Sequence, residues 1–153
     1  MNVELRCQHP SGPALARRVR ARARLLLAEL GRPQASLSIL LTTDGRIRTL
    51  NRRWRSVDHA TDVLSFPAHR PPGGGPELGD LAISLDTARR RASRAGRSLG
   101  DEVDRYLVHG LLHLVGHDHL RPADARAMAR VEDELLGLAG MVTAALGRRA
   151  VAR

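Results

Sequence analysis

The chain has 153 residues, a formal charge of +9 and 42% hydrophobic residues. That length suits one domain with its own core. No apolar run approaches the ~20 residues a bilayer-spanning helix needs, and a lone Cys7 excludes a disulfide framework or a Cys-based zinc site within one chain. Cys7 reads as a small buried hydrophobe. The first residues, Met1 to Arg6, lack the basic-then-apolar layout of a secretory signal. A cytoplasmic location is therefore expected, with no membrane and no disulfide partner. Phe, Trp and Tyr occur once each, so Leu, Val, Ile and Ala must build the core. Every basic residue is Arg, and residues 1–75 hold 13 of them against 5 acids. Guanidinium forks onto phosphate oxygens, so this basic half implies a polyanionic partner.

Residues 2–7 read as a first strand. Residues 13–30 read as an amphipathic helix, with Leu15, Val19, Ala23, Leu26 and Leu30 at helical spacing. Arg17, Arg20 and Arg24 fall on its opposite face, with Arg18 and Arg22 flanking; the row is either a solvated face or an RNA contact. Gly31 and Pro33 end the helix. Residues 35–42 form a buried strand, Asp44-Gly45 a turn, and 46–54 a helix. Asp62 to Phe66 is a strand stopped by Pro67. The run Pro71 to Pro76 is the clearest loop in the chain, and Leu78 to Ser84 is another strand. Ser84 or Asp86 can cap a helix over 86–95, and Ser98 one over 99–115. Gly116 ends that helix, and Pro122 opens the next, over 122–138. The pattern is one α+β domain over residues 1–140, with a four-stranded mixed sheet packed by helices. A loosely ordered basic tail is expected over 141–153.

Four of the seven histidines fall between His109 and His119. His109 and His113 stand four apart on one helix face. Gly116 then permits a left-handed exit, so that the chain can double back and bring His119 toward them. The result is a three-histidine Zn2+ site with an open fourth position. His117 is the ambiguous member, ranked below His119 because Gly116 breaks the helical phase before it. Asp118 is a candidate to orient a ligand imidazole. Val103, Leu107, Leu111 and Leu114 cover the opposite face. Glu102 and Arg105 flank the ligands, most simply as exposed charges. His9, His59 and His69 read as ordinary surface or core residues.

The spacing His-x3-His-x2-Gly-x2-His resembles the metzincin metalloproteases, in which a general-base Glu follows the first His. Here that position is Gly110, which cannot take a proton. The ligand frame is kept without the peptidase base, which favours phosphodiester over peptide chemistry. A second cluster, Leu50 to Pro67, supplies Arg52, Arg53 and Arg55 as candidates to offset phosphoryl charge. Trp54 and Phe66 read there as core residues.

The histidine segment, the stretch Leu50-Asn51…Arg55…Thr61-Asp62-Val63-Leu64-Ser65-Phe66-Pro67 and the segment Leu78-Gly79-Asp80-Leu81-Ala82-Ile83-Ser84 together resemble the bacterial YbeY endoribonucleases, over residues 35–137. The family pattern is His-Gly-x-Leu-His-Leu-x-Gly-Tyr-Asp-His. This chain has His117 where Tyr is usual, so the resemblance leaves His109, His113 and His119 as the ligands. It implies a metzincin-like frame and a zinc-dependent, single-strand-specific RNase. It also implies ribosomal RNA processing at the small-subunit RNA 3′ end, ribosome quality control, and Arg55 as the functional Arg. The expected partners are single-stranded RNA, ribosomal RNA and the small ribosomal subunit. Two other readings compete: an RNA-binding ribosome assembly factor with structural zinc, and a metallohydrolase acting on peptides.

Overall fold

A computed structural model describes residues 2–69, 75–117 and 121–151. Among these residues nine elements follow in order: β1 (Asn2–Cys7), α1 (Gly12–Glu29), β2 (Ser36–Thr42), α2 (Asp44–Arg55), β3 (Val63–Pro67), β4 (Glu77–Ser84), α3 (Leu85–Ala95), α4 (Leu99–Leu114) and α5 (Pro122–Val151). The strands form one mixed sheet in the order β1-β2-β4-β3. β1, β2 and β4 run parallel, and β3 lies antiparallel to β4 at the edge. The fold is the expected α+β domain.

Side chains alternate across the sheet. On one face Val3, Leu37, Ile39, Leu41, Leu81 and Ile83 join Val19, Leu26 and Leu27 of α1 and Val103, Leu107 and Leu111 of α4 in the main core. On the other face Leu64 and Ala82 meet Ile47 of α2 in a much smaller cluster. One face is thus covered by several helices and the other only in part, by α2.

Several local expectations change in the folded chain. Asp44-Gly45 is not a free turn but the first turn of α2, whose N-cap Thr43 accepts a hydrogen bond from the Arg46 N–H. Ser84, not Asp86, caps α3. Asp86 instead accepts from the Asp44 N–H and from His9 Nε2, tying the loop after β1 to the starts of α2 and α3. Ser98 caps α4 as expected. α5 continues beyond the expected end near 138, to Val151. Cys7 is exposed rather than buried, at the end of edge strand β1 against Gly12 at the start of α1. Of the loop 71–76, residues 71–74 lie outside the described residues.

Pro67 belongs to β3 rather than stopping it. The Ser84 N–H donates to the Asp62 carbonyl and the Ala68 N–H to the Leu78 carbonyl, each at 2.9 Å. Even-numbered residues of β3 therefore pair with β4, and the backbone groups of 65 and 67 face the open edge. A proline at 67 gives up no ladder hydrogen bond there.

Candidate active site

α4 carries the histidines on a rigid support. Val103, Leu107, Leu111 and Leu114 are all buried, as the spacing predicts. Glu102 is buried too, against expectation, and is paired with Arg97 at 3.1 Å; Arg105 is exposed. On the α1 side, Arg18 and the buried Arg22 share Asp104. These two Arg are structural, and Arg17, Arg20 and Arg24 form the exposed row.

Gly110 brings α4 close to the sheet. A Cβ at this position would lie 2.8 Å from Leu81 Cδ2 and 3.2 Å from Val63 Cγ2. Packing thus disfavours a side chain beside His109, quite apart from the missing general base.

The two helical histidines converge as their spacing predicts. Nε2 of His113 lies 3.1 Å from Nε2 of His109, with ring centroids 4.7 Å apart and planes at 74°. His109 Nδ1 lies 2.6 Å from Glu132 Oε1 on α5. An ionised carboxylate only accepts, so this contact puts the proton on Nδ1 and leaves Nε2 with its lone pair turned toward His113. Two imidazole nitrogens on a tetrahedral zinc stand about 3.3 Å apart, from a Zn–N distance of about 2.05 Å. The donor set and its spacing fit such an ion, and the carboxylate–histidine contact is the usual way a ligand imidazole is oriented. Among the described residues no group of three donors could hold a metal. His119 and Asp118 lie outside the described residues.

At the end of α4, Gly116 takes φ 104°, the left-handed exit read from the sequence. The Gly116 N–H donates to the His113 carbonyl and the His117 N–H to the Leu112 carbonyl. His117 follows the turn at Val115-Gly116 and is half-buried.

Arg55 ends α2 beside β3. Its Nη2 donates to the Ser65 carbonyl at 2.6 Å, filling an open-edge acceptor, and its guanidinium carbon lies 5.7 Å from the Phe66 ring centre. The Ser65 hydroxyl reaches through the other face of β3 to the Gly110 carbonyl at 3.2 Å. Arg55 therefore stands on the strand that contacts the histidine helix one residue from His109. Ser56 leaves α2 with φ 57°, and buried Asn51 holds the following loop through the His59 carbonyl. Arg52 and Arg53 point elsewhere: Arg52 lies 3.9 Å from Asp58, and Arg53 lies 5.2 Å above the Trp54 ring. Trp54 is not a core residue, as read from the sequence, but 63% exposed. It sits near the C-terminal end of a helix whose buried face is limited to Ile47 and Asn51.

Sequence reasoning missed one further residue. Glu132 is one of several charges on α5, and only the packing of α5 on α4 brings it to His109. Asp62, in the stretch that carries the resemblance, accepts from the Val63 N–H and pairs with Arg91 at 2.7 Å. His9 is likewise tied to Asp86, whereas His59 and His69 are exposed.

The mixed sheet and the histidine-bearing helix packed on it define a class of small α+β proteins with a donor pair at one helix end. The chain matches the family model described as Endoribonuclease YbeY over residues 13–140. A relative named Endoribonuclease YbeY from Anaeromyxobacter dehalogenans is 64% identical over 151 residues, covering 97% of this chain and 78% of the relative. One of the same name from Thermus thermophilus is 46% identical over 126 residues, covering 81% and 91%. The solution structure of a Thermotoga maritima protein superimposes with a TM-score of 0.65 at 18% identity, covering 90% of this chain and 88% of that one; at that identity it speaks for the fold alone. The chain belongs to the YbeY family. No helix among the described residues is long and apolar enough to cross a membrane.

Proposed function

We propose that this protein is a metal-dependent endoribonuclease that cuts single-stranded RNA. We propose further that it acts in the cytoplasm on ribosomal RNA of the small subunit, in 3′-end maturation and ribosome quality control. The observation that carries the metal reading is the facing pair of Nε2 atoms at 3.1 Å, with His109 turned by Glu132. His109 and His113 would hold a zinc ion, with His119 as the third ligand. The names of the relatives support RNA as the substrate, as does the Arg excess of the first half.

Zinc, when bound, supplies Lewis-acid polarisation of a phosphoryl oxygen. The chain's own residues supply the rest. Glu132 fixes the tautomer and the ring plane of His109. Arg55 offers its remaining N–H groups to a phosphate at the edge of β3 and offsets negative charge as it develops there. Arg17, Arg20 and Arg24 hold the strand by phosphate contacts, so binding weakens with salt. Gly110 leaves no side chain beside His109 to act as a peptidase base.

The test is cleavage of a single-stranded RNA by metal-loaded wild type, His113→Ala and Arg55→Ala, with the metal content of each. Wild type should cut. His113→Ala should lose metal and activity, and Arg55→Ala should keep metal and cut poorly. Equal cutting by all three would mark the activity as a contaminant. An RNA-binding assembly factor with structural zinc would then be the better reading.

A further inference from the structure

A large cavity lies away from the histidines, on the thinly covered face of the sheet. It has a volume of about 510 Å3 and runs between α2 and the strands. Glu4, Ser38, Asp80 and Phe66 pair in register across all four strands and form one row of its floor. That row spans three strand spacings, about 14 Å. Trp54 lines the wall from α2. It is the one large hydrophobic side chain exposed among the described residues, and Arg53 sits over its ring.

We propose that this groove is a subsite for an unpaired nucleobase of the RNA strand; the proposal rests on the nuclease reading above. Three observations select a nucleotide. An exposed indole beside a guanidinium is a stacking platform that accepts any base face. The carboxylates of Glu4 and Asp80 offer acceptors to exocyclic amino groups, while Arg6 and Arg46 also line the cavity and balance the charge for a phosphate. The groove also borders Arg55. Phe66 lines it, and Arg55 lies over the same Phe66 while holding the Ser65 carbonyl. A strand whose phosphate meets Arg55 at the β3 edge can therefore lay a neighbouring base into the groove. The cavity size falls within the ~300–1,000 Å3 of small-ligand sites, room for a splayed nucleotide and too little for a duplex. Single-strand preference would follow from this geometry.

Trp54 is the only tryptophan in the chain, so its fluorescence reports this groove alone. Full-length His113→Ala, which should not cut, would be titrated with a six-nucleotide single-stranded RNA and with an abasic strand of equal length. The RNA should quench Trp54 saturably and the abasic strand hardly at all. By anisotropy of a labelled RNA, Trp54→Ala should bind on the order of tenfold more weakly, and Trp54→Phe should recover most of the loss. In cleavage by otherwise wild-type protein, Trp54→Ala should raise KM far more than it lowers kcat. Equal quenching by both strands would overturn the proposal in favour of a phosphate contact. No quenching with unchanged affinity would overturn it and leave the groove to a protein partner. The two readings separate cleanly. If wild type cuts RNA but Trp54→Ala shows the same KM, the base subsite falls and the nuclease stands. If quenching persists while wild type fails to cut, the nuclease falls and the base site stands.

Discussion

Replacing Gly110 by Ala sets two effects of known sign against each other. In the interior of a helix, alanine is favoured over glycine by about 1 kcal/mol. The new methyl would lie 2.8 Å from Leu81 Cδ2 and 3.2 Å from Val63 Cγ2, against normal carbon contacts of about 3.5–4.0 Å. Leu81 is 1% exposed and cannot swing into solvent, whereas Val63 on the edge strand is half-buried. Overpacking of this kind costs about 1–3 kcal/mol. The clash should match or exceed that gain, for a net loss of up to about 2 kcal/mol. In a chain of this size that lowers Tm by up to about 8 °C. Urea denaturation and thermal melting of Gly110→Ala against wild type measure it. A variant clearly more stable than wild type would show that α4 can lift off β3 and β4 freely. The account of Gly110 as the residue that sets the helix–sheet distance would then be refuted. Gly110→Glu should be worse still, because it buries a carboxylate in the same space, and it should gain no peptidase activity.

Glu132→Ala should weaken zinc binding 10–100-fold, or about 1.4–2.7 kcal/mol, as measured by competition with a chromophoric chelator; an unchanged affinity would remove Glu132 from the site. Burial works to raise the Asp44 carboxyl, but hydrogen bonds from Ser84, Thr87 and Arg90 outweigh it and hold the group below its ordinary 3.8. Asp86 is lowered chiefly by the Asp44 N–H, against burial and with help from His9. Groups with a depressed folded pKa stabilise above the unfolded value and lose that contribution as pH falls. The urea midpoint should therefore drop below about pH 4, and Asp44→Asn should flatten that drop; identical acid limbs would contradict the network. The Tyr106 hydroxyl is buried without a well-formed hydrogen bond among the described residues, and burial, then the charge of Glu102, pushes its pKa up to about 12. Tyr106→Phe should therefore be neutral or stabilising by up to about 1 kcal/mol in a thermal melt, and a clear loss of stability would reveal a partner for the hydroxyl.

Where apolar periodicity met a capping residue, the elements were legible in advance. α1 and α4 lie where Val19, Leu26, Leu107 and Leu111 place them, and Ser98 caps α4 as read. The His109–His113 pair was legible for the same reason: i, i+4 geometry is a property of the helix itself and needs no tertiary contact. The boundaries that moved were those at which two local signals compete. Asp44-Gly45 is equally a turn and a helix start, and Pro67 is equally a stop and an edge-strand residue until the ladder phase is known.

Local pattern, then, determined the fold class, the histidine-bearing helix and its exit at Gly116, because each depends on residues within a turn or two of one another. Tertiary structure alone decided the rest. Docking of α5 on α4 chose Glu132 from among equivalent charges as the partner of His109. The edge position of β3 left the Ser65 carbonyl open, and of the three neighbouring arginines it is Arg55 that donates to it. The partial cover of the second sheet face put Trp54 in solvent, when composition alone suggested core. Which like residue finds a partner depends on elements distant in sequence, and on which sheet face the helices leave uncovered; neither is written in any local run of residues.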